Sequence, residues 1–399
     1  MKKILALACL IGLPLAAHAD NAPAPQREWT FLLYLNGNNN LDTFGKLNIN
    51  QMEAVGSTDQ VNLVTQWASL ENGDVRRILV QKDTDTVNVT SPVLQNMGSV
   101  DMGSDKTLED FIHWGITAYP AKHYFVAVWD HGSGWHARIN DIAAGVAHPT
   151  DISWDDNTGH SITTKQLGAV MNRVSAWLGR KIDIYGSDAC LMGMAEVAAE
   201  MKDSVAYFVG SQEVEPGAGW PYTEFLAPLA ANPLMSAKDF TATLATTYAA
   251  SYSGGSNGNS GATMSSYDMS HYSAVRDAAN KLAGQIEKMS AASKAKVLKA
   301  AQASQSFEFS DYVDYGDFLK QLGTLGNREL DQTVITEANA ALKDFVIISA
   351  NTPTYAAATG MSIWIPKDKG SLSSYLATYK TMVWDTETHW STALSAFVK

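Results

Sequence analysis

Cys190, in the run Ser187-Asp-Ala-Cys-Leu-Met192, and His131, in Trp129-Asp-His-Gly-Ser-Gly-Trp135, are the residues of this chain best suited to nucleophilic chemistry together. A thiol is mostly protonated near neutral pH, and the thiolate is the attacking form. An imidazole beside it can take that proton and later hand it to a departing amine. Gly132 and Gly134 let the backbone come close to a substrate, so the amides of Gly132 and Cys190 are candidates for holding an oxyanion. The chemistry in view is acyl transfer through a thioester. The other cysteine, Cys9, lies in the apolar N-terminal stretch. Once that stretch is removed, the remaining thiol has no partner for an internal disulfide. Cys190 is then either a buried small hydrophobe or a working nucleophile.

For the pair to meet, each residue must stand at the carboxyl end of one of two neighbouring strands, which is where sites form in open α/β sheets. The sequence offers such strands. Residues 123–129 form a near-continuous apolar run ending just before His131, and residues 181–185 end just before Gly186 to Cys190. A helix predicted over 163–178 supplies the crossover that two parallel neighbours need. A second helix, predicted over 191–201, would put Cys190 at its start, where the helix dipole favours an anion. Residues 29–35 read as a strand buried on both faces, whereas 61–67 and 75–80 alternate and are placed nearer an edge. Helix 108–119 and strand 206–210 complete an alternation that predicts a mostly parallel central sheet with helices on both faces. Further on, helices are expected over 238–251, 270–288, 291–304 and 330–343, and strands over 345–349 and 361–365. Residues 254–261, rich in Gly, Ser and Asn, read as a flexible loop.

The chain resembles the clostripain family of cysteine peptidases, relatives of caspases, gingipains and legumain. The similarity is carried by Trp29-Thr-Phe-Leu-Leu-Tyr-Leu-Asn-Gly-Asn-Asn-Asn-Leu-Asp42, by the His131 and Cys190 segments, and by Gly210-Ser-Gln-Glu-Val-Glu-Pro-Gly-Ala-Gly-Trp-Pro-Tyr222. Asp311-Tyr-Val-Asp-Tyr-Gly-Asp-Phe318 and Thr359-Gly-Met-Ser-Ile-Trp-Ile-Pro366 extend it toward the C-terminus. The resemblance implies a caspase-like three-layer α/β sandwich and a peptide or protein substrate. It also implies His131 and Cys190 as a catalytic dyad, with Gly132 in the oxyanion hole. In relatives that cut after Arg or Lys, the variable position of Glu-Pro-Gly-x-Gly-Trp usually carries Asp in the specificity pocket; here it is Ala218. Asp188 remains to face a basic side chain. Cleavage after Arg or Lys and a shift toward smaller or neutral residues therefore both stay open. Glu213, Glu215 and Trp220 complete the candidate pocket, with loop capping as the alternative role of the two glutamates. Several relatives are cut between the histidine and the cysteine, and Arg138 is the basic residue in that loop for self-cleavage. No cofactor is required. Calcium, which some relatives use, draws attention to Asp155, Asp156, Asp311, Asp314 and Asp317, which lack the regular spacing of a calcium loop.

Composition sets the outer limits. Hydrophobic residues make up 46% of the 399, ample for a core, and a net charge of −12 argues against nucleic acid as a partner. Lys2 and Lys3, an apolar stretch over 4–15 and Ala17-His-Ala19 read as a signal peptide, so a periplasmic or extracellular protein is expected. No later run approaches the roughly 20 apolar residues of a membrane span. The expected organisation is signal peptide 1–19, polar leader 20–28, catalytic core 29–235, and a helical C-terminal extension with returning strands over 236–399 in the same compact unit. A monomer is expected. Two other classes compete: a catalytically silent protein that binds peptides or glycans, and a hydrolase using paired carboxylates on sugars.

Overall fold

Nine strands line up as one sheet in the computed structural model, which describes residues 26–136 and 151–398. The expected signal peptide, Arg138 and Lys399 lie outside the described residues. In chain order the strands are β1 (Arg27–Gly37), β2 (Val61–Ser69), β3 (Asp74–Leu79), β4 (Val93–Gly98), β5 (Ala121–Trp129), β6 (Ile152–Asp155), β7 (His160–Ile162), β8 (Ile182–Asp188), β9 (Val205–Gly210), β10 (Ser253–Gly255), β11 (Gly258–Asn259), β12 (Thr263–Asp268), β13 (Tyr312–Asp314), β14 (Val346–Asn351) and β15 (Ser362–Trp364). The large sheet has the order β14-β12-β9-β8-β5-β1-β2-β3-β4, and the remaining strands form two-stranded pairs. The middle five, β9 to β2, are parallel, and each step outward from them is antiparallel.

Apolar side chains on both faces explain why the middle strands are parallel and buried. Along β1, Leu32 and Tyr34 enter one apolar cluster while Phe31, Leu33 and Leu35 enter the other, following the two-residue period of a strand. Helices Asp105–Ala118, Thr164–Leu178 and Tyr272–Lys288 contribute Leu108, Leu167 and Leu282 to the first cluster. Helices Asp42–Glu53, Tyr222–Ala231 and Ala237–Ser251 contribute Ile49, Phe225 and Phe240 to the second. Each fully buried Leu or Phe contributes about 1.5–3 kcal/mol, so the strands are held firmly where they end. The crossover helix Thr164–Leu178 is sharply bounded. Thr163 and Gln166 form a reciprocal capping box, and Gly179 closes the helix at φ 73°.

Several local expectations differ from this arrangement. β2 is buried along its whole length, because β3 and β4 extend the sheet beyond it. The helix expected over 191–201 is reduced to Ala195–Glu200. β12 had no counterpart in the sequence reading, and the loop at 254–261 forms the small hairpin of β10 and β11. The expected boundary at 235/236 falls between two helices whose Leu229 and Phe240 share one cluster, while β12 and β14, from beyond it, join the same sheet. Among the described residues, no helix is long and apolar enough to cross a membrane.

Candidate active site

β5 and β8 are parallel neighbours, with Trp129 opposite Asp188. The Asp130 amide donates to the Asp188 carbonyl at 3.2 Å, so the two chains are still joined as they leave the sheet. His131 and Cys190 then line one cavity of about 180 Å³, together with Leu41, Val214 and Glu215. Gly132 packs on the cysteine itself. A Cβ at Gly132 would lie 3.2 Å from the Cys190 nitrogen and only 2.5 Å from its carbonyl oxygen, the latter closer than any side chain could sit.

Cys190 lies in a turn rather than at a helix N-terminus, which corrects the expectation of help from a helix dipole. Leu191 adopts φ 63°, a left-handed conformation unusual for leucine, and the helix begins only at Ala195. Backbone amides face the sulfur instead. The Glu215 amide donates to Sγ at 3.3 Å, and the amides of Gly132 and of Cys190 itself also act on it. Burial nevertheless pushes the thiol up to about 11; the Glu215 amide opposes that shift and the charge of Glu213 adds to it. At neutral pH the resting sulfur is therefore a thiol, and a nucleophilic role would need a base.

His131 has its Nε2 2.7 Å from the side-chain oxygen of Asn40. An amide oxygen only accepts, so Nε2 carries the hydrogen and the basic lone pair lies on Nδ1. Behind the ring, Asp130 Oδ1 accepts from the His131 amide and from Asn39 Nδ2, both at 2.6 Å. Asp130 Oδ2 accepts from Asn36 Nδ2 at 2.9 Å. Asn36 and Asn39 also donate to the Trp154 carbonyl at 2.8 Å, tying the end of β1 to β6. Sequence reasoning missed Asn40 and its neighbours as site residues. The available signal was a run of amide side chains directly after a doubly buried strand.

The candidate pocket residues separate into two groups. Asp188 and Glu215 line the cavity and are 4% and 8% exposed. Asp188 Oδ2 accepts from the Tyr222 hydroxyl at 2.7 Å and the Trp220 amide at 3.3 Å. Burial raises both carboxyls, and each further acts on the other, so the pair retains a proton near neutrality. Glu213, Ala218 and Trp220 are not in the cavity wall, contrary to the expectation. Glu213 accepts from the amides of Val214 and Glu308, which makes it a loop cap. The Ala218 carbonyl is held by Asn48 Nδ2 at 3.0 Å. The Trp220 ring lies in the core against Phe125 and Phe225.

The five carboxylates considered for calcium each accept hydrogen bonds within the fold. Asp155 accepts from Asn38 and the Met102 amide, and Asp156 from the Trp154 ring nitrogen. Asp311 accepts from Trp364, Asp314 from Gln212 and Thr359, and Asp317 from the Gln305 amide. Among the described residues, no group of three or more His, Cys, Asp or Glu could hold a metal ion.

The family model described as the clostripain family matches residues 33–397. Among curated proteins, the clostripain of Hathewaya histolytica is 27% identical over 165 residues, a match covering 40% of this chain and 29% of that protein. The chain thus matches less than a third of the length of this relative. A solved structure of a secreted C11 cysteine protease from Bacteroides thetaiotaomicron, in complex with an irreversible peptide inhibitor, is similar at TM-score 0.68 and 20% identity, over 91% of this chain and 99% of that one. An inactive zymogen C11 protease from Parabacteroides distasonis is similar at TM-score 0.70 and 18% identity, over 92% and 99%. At such identities the likeness speaks for the fold, a caspase-like α/β sandwich with a helical C-terminal portion.

Proposed function

This chain belongs to the clostripain family of cysteine peptidases, and we propose that it is an exported endopeptidase that cuts peptide bonds after Lys or Arg through a Cys190–His131 dyad. The observation that carries this reading is the register of β5 and β8, which sends His131 and Cys190 to one cavity. As the Cys190 sulfur bonds to the peptide carbonyl carbon, its proton passes to His131 Nδ1. The carbonyl oxygen becomes an oxyanion and takes hydrogen bonds from the amides of Gly132 and Cys190. When the C–N bond breaks, the imidazolium gives its proton to the leaving amine, and a thioester remains. Water then attacks the thioester, His131 takes a proton from it, and the acid product leaves with the thiol restored.

The preference for a basic side chain is supported by the two acids in the cavity wall. The groups that act on them are each other, tyrosines, amides and the Cys190 thiol, none of them a cation, so a cation from the substrate would be their natural complement. Export is supported by the leader composition, with Lys2 and Lys3 ahead of an apolar stretch. One chain carries both dyad residues and the cavity, which accords with a monomer.

The test is hydrolysis of fluorogenic peptides by Cys190→Ala. The reading expects activity to vanish while the melting temperature holds. Full activity in the variant would overturn it.

A further inference from the structure

Apart from the Asp188 carboxyl, no donor among the described residues lies in hydrogen-bond geometry with either buried oxygen of Glu215. What faces them is the Asp188 carboxyl and, beyond hydrogen-bond geometry, the Ala189 amide. Asp188 is better supplied at Oδ2, but its Oδ1 is left uncovered by a glycine: a Cβ at Gly219, which has φ 62°, would sit 2.9 Å from that atom. Other titratable groups nearby are the phenols of Tyr222, Tyr248 and Tyr252 and the Cys190 thiol. His131 and Asp130 share the cavity wall, and Glu213 acts on the thiol. None of these is a lysine or arginine. Ala218 brings no charge and lies off the wall.

Two buried carboxyls side by side cannot both ionise alone, so they share one proton and one negative charge. A cation entering between them changes that balance. Resting on the peptidase reading above, we infer that Glu215 is the second specificity-determining carboxylate of this pocket, and that the Asp188–Glu215 pair releases its shared proton when a Lys or Arg side chain enters. Both carboxyls are then ionised against one ammonium or guanidinium, and the proton goes to solvent. The neutral isostere norleucine offers no charge to drive that release, so the pocket discriminates by proton exchange as well as by direct attraction.

The experiment titrates the Cys190→Ala protein with two uncleaved peptides that differ only in Lys or norleucine before the scissile bond. Calorimetry in buffers of different ionisation enthalpy counts protons near pH 8, above the value of about 7 to which burial raises Asp188, where the pair holds its single shared proton. The Lys peptide should release up to about one proton more than the norleucine peptide. Adding Glu215→Gln should remove that difference and lower the Lys-over-norleucine affinity ratio by roughly tenfold or more, with Glu215→Asp retaining part of it. Equal proton counts for the two peptides in the Cys190→Ala protein would overturn the inference, as would an unchanged affinity ratio in folded Glu215→Gln. The proton count needs no change at Glu215, so it decides even if that variant fails to fold. Wild-type hydrolysis of the same peptides separates the two levels. Cleavage without proton release overturns this inference alone, whereas absence of both cleavage and binding overturns the peptidase reading and this inference with it.

Discussion

Trp129 and Asp188 stand opposite each other on adjacent parallel strands, and two residues beyond each the chain presents His131 and Cys190 to the same cavity. The alignment depends on ladder hydrogen bonds and on a core packed from both sides, not on either loop. A one-residue slip of β8 would turn every one of its side chains to the opposite face. Substitutions that leave the strands intact but alter the loops at their carboxyl ends should therefore change activity far more than stability.

Gly132 is the sharpest such position. A methyl group there meets the Cys190 backbone at 2.5 Å, so the loop must shift, and with it the amide proposed as one oxyanion donor. Gly132→Ala should lower kcat/KM by about 10²–10³-fold, the size associated with losing one such donor. Steady-state kinetics with a peptide substrate, alongside a melting curve, checks this.

Asn40 positions His131 from the exposed side by accepting from Nε2. Asn40→Ala should lower kcat about 10-fold or more with little change in KM and no loss of stability, because the ring and its tautomer are less well held. Asn40→Asp should keep the acceptor and shift the acid limb of the pH–rate profile upward by stabilising the imidazolium. Unchanged kcat and pH profile in both variants would remove Asn40 from the site.

Asp188 should matter for basic substrates above all. Asp188→Asn removes a charged partner worth about 1.5–3 kcal/mol, a 10- to 150-fold loss in kcat/KM for Lys or Arg peptides. Neutral peptides should lose much less. Comparing the two substrate series in one preparation tests the difference.

The buried acids also set the pH dependence of stability. Burial raises Asp151, Asp188 and Glu196 to about 7. Between the ordinary carboxyl range near 4 and about 7, the folded protein holds more protons than the unfolded chain, so stability falls as pH rises through that window. At Asp311, burial is outweighed by the hydrogen bond and charge of His136, and its loss of stability on protonation lies at lower pH. The melting temperature should drop by about 2–5 °C between pH 5 and pH 8. A rise over that interval would contradict these assignments.

The strands that carry the site were legible because β5 and β8 are apolar enough to be recognised without their neighbours, and the chemistry lies directly at their ends. The turn after Cys190 was not, since Leu191, Met192, Met194 and Ala195 are all good helix formers. Leu191 is held left-handed by tertiary contacts, its amide on the Glu213 carbonyl and that of Gly193 on Ser211. β12 was hidden by its serines: Ser265 and Ser266 are buried in the sheet, and no apolar run announces the strand. In the pocket, the motif points to Ala218. The fold turns its neighbours Gly217 and Gly219 to the cavity, beside the candidate Glu215. A one-dimensional pattern records spacing along a loop but not which side of it faces inward.

The most direct measurement is covalent labelling of the wild-type protein by a peptidyl electrophile with Lys at the reactive end, with the adduct located by mass spectrometry. The account predicts a single adduct on Cys190, formed far faster than with a simple thiol and slowed strongly in His131→Ala. Labelling elsewhere, or at Cys190 no faster than that thiol and at the same rate without His131, would contradict a thiol and an imidazole working together in one cavity.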